Sequence, residues 1–288
     1  MSGSRRLDIA DVIGTTARVL AGSFPAFFVT ALVCMAPAIL VEVWLLDWRT
    51  GAYGLAPEPA YDDYGYDPYG SVYDDYGSYV TREEELLRIS VLALFGSGLA
   101  TAFCIAATQA GVLYTVVEHL AGRRASLGSA LAKGLSRLPA ALGAMVLVSC
   151  MTLFGAGCAI ISGLIVALLF CFAVPAAVIE DKPPFKAVAR SVDLTNGNRA
   201  LLLAIVTVVL GLFAAVRWGM RAAWGVAPLF IVDSLEVPSD PPAWSYYVLL
   251  GLVAVLEAIT LASLSSVMYA RLRERDGMNI DELAEVFA

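Results

Sequence analysis

The chain has 288 residues, of which 59% are hydrophobic and only 16% charged, with a mean hydropathy of +0.75. Soluble domains carry about 25% charged residues and lack apolar runs near the ~20 residues that cross a bilayer, so the composition excludes a soluble domain and indicates an integral membrane protein. The net charge of −7 comes with no patch that mixes cations and aromatics, which argues against nucleic acid as a partner.

In chain order, residues 1–23 read as a retained segment rather than a cleaved signal, because arginines are followed by acids and an amphipathic pattern. Ile9, Val12, Ile13, Thr16 and Leu20 form a stripe at helical spacing, with Asp8, Asp11, Thr15 and Arg18 away from it, and "GSFP" follows as a breaker. Spans are then expected at 24–46, 86–117, 138–156, 158–179, 200–222 and 244–270. A tight turn at "FGAGC" separates the third from the fourth. Between the first two spans, 47–85 is acidic and Tyr-rich. Its stretch "YDDYGYDPYGSVYDDYGSY" holds five aspartates and seven tyrosines but no cation. It lacks EF-hand spacing and reads as a solvated, disordered connection.

A second stripe, Leu127, Ala130, Leu131, Leu135 and Leu138, lies opposite Ser129, Lys133 and Arg137 and ends at Pro139. In a third, Phe185, Val188, Ala189 and Val192 lie opposite Lys186, Arg190 and Asp193, between Pro183-Pro184 and "TNGN". Each stripe reads as a short interfacial elbow helix feeding a span. The expected fold is therefore all-α: one integral membrane domain over 1–288, with six transmembrane helices. These form three pseudo-repeated units, each an interfacial amphipathic helix plus a helical hairpin. Of the Lys and Arg residues, 14 fall in 1–23, 118–137, 180–199 and 271–288, and 5 in 47–88 and 217–243. The positive-inside rule then puts both termini and the 271–288 tail in the cytoplasm, with 47–85 and 223–243 outside.

Few residues are candidates for chemistry. Glu257 lies in mid-span, where an ionisable group costs at least ~2.5 kcal/mol and usually faces the bundle interior. It is expected to be protonated unless a cation or water reaches it. Thr101, Thr108 and Gln109, with Ser149 and Thr207, are the polar groups that could meet it. Glu180, Arg190 and Arg199 surround the third elbow, either as a headgroup site or gate or as ion pairs fixing the elbow. Arg217, Trp218, Arg221 and Trp224 mark one end of the fifth span, with Glu42 a candidate partner for the arginines. The five cysteines lie in apolar runs without a CxxC pair, and His119 is the only histidine, so no disulfide framework, metal site or cofactor is expected.

Three stretches carry a resemblance: "VPAAVIEDKPPFKAVARSVDLTNGNRALLL", "AGVLYTVVEHLAGRRASLGSALAKGLSRLPAAL" and "MYARLRERDGMNIDELAEVF". They resemble a bacterial six-span family related to the membrane domain of glycerophosphoryl diester phosphodiesterases. The resemblance implies a six-helix fold in the bacterial inner membrane. It does not imply phosphodiesterase chemistry, which belongs to a separate soluble barrel of ~250 residues that cannot fit here. The expected function is a non-enzymatic module organising or assisting membrane proteins or lipids, with the lipid bilayer as its constant partner. The alternative is a transporter or channel for a small or lipophilic solute, with Glu257 at the midplane.

Overall fold

The computed structural model describes residues 9–54, 100–123, 125–158, 160–224 and 244–279, together with 282 and 285. Among these residues the regular structure is entirely helical. In chain order the helices are α1 Ile9–Gly54, α2 Ala100–Leu120, α3 Leu127–Ser136, α4 Leu138–Cys158, α5 Ile160–Leu169, α6 Ala173–Ile179, α7 Pro184–Thr195, α8 Arg199–Ala223 and α9 Trp244–Arg275. Four of them, α1, α2, α8 and α9, are long and apolar enough to cross a membrane. A fifth crossing is made if α3 and α4, bent by 63° at Arg137, count as one. Most of the Tyr-rich connection, residues 86–99 of the expected second span, and 225–243 lie outside the described residues.

The elbow expected before Pro25 is not there. α1 runs unbroken through Gly22, Pro25 and Pro37 and on to Gly54, eight residues into the segment expected to be loop. Proline removes one backbone bond but does not end a helix whose neighbours hold it straight, and membrane helices tolerate it for that reason. The buried stripe is also rotated from the one expected. Val12, Thr15, Thr16, Val19, Phe27, Ala31, Met35 and Ala38 are buried, while Ile9 and Ile13 are exposed. That stripe packs against α9 and α2, with Cys104, Val112, Val116, Val255, Ile259, Ala262 and Val267.

α3 does bend into α4, starting at Ser126, whose hydroxyl accepts the Ser129 N–H. Its backbone touches α2. A Cβ on Gly134 would lie 3.0 Å from the Gly111 backbone, a closeness that only small residues permit.

The fourth expected span is two helices. α5 ends at Leu169 and α6 begins at Ala173, so neither half reaches across alone at 1.5 Å per residue. Every residue of α6 is buried, and α6 forms the centre of the larger core with Phe172, Leu113, Ala141, Leu202 and Tyr269. The groups freed by the break are taken by α7. Ser191 Oγ donates to the Leu169 carbonyl at 2.7 Å and accepts the Phe172 N–H at 3.1 Å. The third elbow is thus corrected too. α7 buries Ala187, Val188, Ser191, Leu194 and Thr195, while Phe185 and Ala189 of the expected stripe are exposed. A helix that closes a gap in its neighbour turns its small and hydroxylic side inward, not its most apolar side.

Candidate functional site

α6 delivers Glu180 to its own C-terminus, where the backbone carbonyls already make a negative end. A carboxylate there needs donors, and four converge on it. Tyr269 donates its hydroxyl to Oε1 at 2.8 Å, Arg190 Nε lies 3.3 Å and Arg273 Nε 3.5 Å from the same oxygen, and Lys182 Nζ pairs with Oε2 at 2.5 Å. Arg190 and Arg273 share a second acid, Asp276, at 2.7 and 3.5 Å. The turn that ends α9 supplies it: Gly277 adopts φ +90°, its N–H meets the Glu274 carbonyl, and the Met278 N–H meets that of Arg273.

The Glu180 side chain is 10% exposed and that of Arg273 11%. Burial pushes the Glu180 carboxyl up. The Lys182 and Tyr269 hydrogen bonds, the Arg273 charge and the Arg190 hydrogen bond outweigh burial and hold the group below its ordinary 4.5. A carboxylate so surrounded keeps its charge at neutral pH and has its lone pairs occupied. Its effect is to tie α6, α7 and α9 together.

Neighbouring pairs extend this knot. Asp181, a non-glycine residue at φ +49°, pairs with Arg137 between α3 and α4 at 3.1 Å. Arg271 bonds Asp11 and Thr15 of α1 as well as Glu274. Pro184 presses on α4 at Gly143, where a Cβ would come within 2.8 Å of its ring. Of the residues expected at this elbow, Glu180 and Arg190 meet. Arg199 opens α8, exposed and apart from them. Tyr269, Arg273 and Asp276 were missed. Their signal was present, since 269 and 273 follow helical spacing at the end of α9, where its apolar run ends, and 276 opens the turn just after it.

Glu257 has a different partner from those expected. Arg217 Nη2 lies 2.5 Å from its Oε2 and joins α8 to α9. Thr108 instead bonds the Cys104 carbonyl of its own helix, and Gln109 Oε1 is buried without a partner among the described residues. Thr101 is half-buried, while Ser149 and Thr207 are exposed. The Glu42 side chain lies outside the described residues. A cation therefore reaches Glu257. Beyond this pair, α8 and α9 carry an aromatic group in which Trp224 meets Tyr246 at 6.1 Å and Trp244 meets Tyr247 at 6.2 Å.

His119, near the end of α2, has its Nδ1 3.1 Å from Ser23 Oγ of α1, a contact between helices. Among the described residues no three His, Cys, Asp or Glu side chains gather as a metal site would require. No family model matches the chain, and no curated protein or solved structure is similar to it.

Proposed function

We propose that the chain is a six-span module of the bacterial inner membrane, with both termini cytoplasmic, that organises or assists other membrane proteins or lipids and catalyses no reaction itself. The six spans are α1, α2 with the residues before it, α4, the broken α5–α6, α8 and α9. The reading draws on the resemblance of residues 174–203 to the membrane domain that accompanies some phosphodiesterases. The observation that carries it is that the half-buried acids Glu180 and Glu257 are paired within the protein. Glu257 is held by Arg217 and Glu180 by four donors. Phe27, Met35, Val112, Val255 and Ile259 fill the packing between α1, α2 and α9. Transporters use broken helices to present backbone groups to cargo. Here Ser191 occupies the backbone groups at the break.

One observation favours the alternative, a transporter or channel: an ion pair between two apolar helices, which by default marks a functional position. Vesicles containing the purified wild type or Glu257→Gln separate the two readings. With an imposed proton or potassium gradient, neither protein is expected to speed its decay over empty vesicles. A flux carried by the wild type and lost in Glu257→Gln would overturn the module reading. Purification in native lipid is expected to retain a defined protein or lipid at fixed stoichiometry.

A further inference from the structure

The far end of α8 holds more positive charge than its described neighbours neutralise. Arg217 and Arg221 are four residues apart and so share one side of the helix. Arg217 is paired with Glu257, but its Nε and the Nε of Arg221 are both buried without a hydrogen-bond partner among the described residues. Among the described residues one carboxylate, Glu257, pairs with Arg217, and none pairs with Arg221.

Their depth follows from the helix itself. Arg199 opens α8, and Arg221 lies 22 residues further on. At 1.5 Å per residue the two are ~33 Å apart, close to the ~30 Å thickness of the hydrocarbon core. One arginine at each end places both at headgroup level, and Arg217 lies one turn inside. Trp224, packed on Tyr246, and the half-exposed Trp218 mark the same level, as amphipathic aromatics do at an interface.

We propose that Arg221, with the unpaired side of Arg217, binds the phosphate of a phospholipid in the leaflet opposite the Glu180 knot. Glu257 is the resident anion that competes for Arg217. A guanidinium fork matches two phosphate oxygens, which accounts for arginine rather than lysine at both positions. The surplus of two guanidinium groups over one carboxylate among the described residues favours an anionic lipid over a zwitterionic one, whose cationic group would oppose it. The inference rests on the membrane reading alone and holds equally for a module and a transporter.

The test is native mass spectrometry of the full chain in detergent micelles. The probes are dihexanoyl phosphatidylglycerol, dihexanoyl phosphatidylcholine and inorganic phosphate. The wild type is expected to bind phosphatidylglycerol more tightly than phosphatidylcholine. Arg221→Gln is expected to weaken that binding about tenfold or more, the loss of charge-assisted hydrogen bonds. Arg221→Lys, which keeps the charge but not the fork, should fall between, and serves if Arg221→Gln does not fold. Glu257→Gln should bind phosphatidylglycerol more tightly than wild type, because Arg217 is released. Arg199→Gln, at the other end of the same helix, should leave the affinity unchanged. Equal affinity in wild type, Arg221→Gln and Arg221→Lys would overturn the site. Inorganic phosphate binding as tightly as the lipid would assign it to a soluble anion and overturn the lipid assignment.

Discussion

At the scale of single residues, Ser191 and Glu180 do the most to hold irregular structure in place. Ser191→Ala strands a buried carbonyl at Leu169 and an N–H at Phe172. It should cost about 1–3 kcal/mol, whereas Ser265→Ala, which loses only a bond within its own helix, should stay within about 0.5 kcal/mol. Retention of a monodisperse elution peak after heating in detergent checks both. Glu180 predicts a pH dependence. Its carboxyl is held below the ordinary 4.5 in the folded chain. Its contribution is therefore complete above that value and is lost as the pH falls through the lowered folded value. Heat resistance should drop in that acidic range, and the drop should be smaller in Glu180→Gln. Glu180 and Arg190 were legible because charges beside apolar runs stand out. The role of Ser191 was not legible. Its partners lie 19 and 22 residues back, in "LFCFA", where no proline or glycine signals a break.

At the scale of elements, the α8–α9 contact can be dissected through its ion pair. Glu257→Leu leaves Arg217 without its acid and should destabilise the bundle by about 1.5–3 kcal/mol. Adding Arg217→Leu should recover most of that, since apolar replacement of both partners is often neutral. The same heating assay reads this cycle, and an equally damaged double variant would show that the pair itself is not what matters. For α7, Val188→Asp places a charge at a position that is 8% exposed and should reduce folded yield far more than Lys186→Asp at an exposed one. The first and third elbow stripes were misread because sequence does not show the packing partner. α1 is apolar nearly all round, so periodicity cannot tell its lipid side from its protein side, and in α7 the apolar stripe alone does not mark the side that packs. α1 and α7 both choose by packing partner, so Ile13 and Phe185 stay outside. The start of α3 was better marked, because Ser126 supplies a cap that sequence alone can suggest.

At the scale of the whole molecule, charge is segregated along the bundle. Asp11–Arg271, Arg137–Asp181 and Arg190–Glu180 join the start of α1, the α3–α4 bend, the α6–α7 turn and the end of α9. The unequal distribution of Lys and Arg made this legible before any contact was known. It also predicts topology. In a cysteine-free background, Ser71→Cys should react with an impermeant thiol reagent on spheroplasts and Lys186→Cys should not; the reverse labelling would invert the orientation. The span count was less legible. Hydropathy sees a run of sufficient length, but not a run that breaks at Phe170–Phe172 or one that bends by 63° at Arg137.

The seal at the α5–α6 break also sets an order of assembly. In the folded chain the Phe172 N–H is accepted by Ser191, which is made 19 residues after it. At ~5–20 residues per second that interval is about 1–4 s. Before Ser191 is made, the broken arrangement would leave that N–H unsatisfied, which costs several kcal/mol wherever water is excluded. The break between α5 and α6 is therefore held only once α7 is present, so the break and the docking of α7 form together.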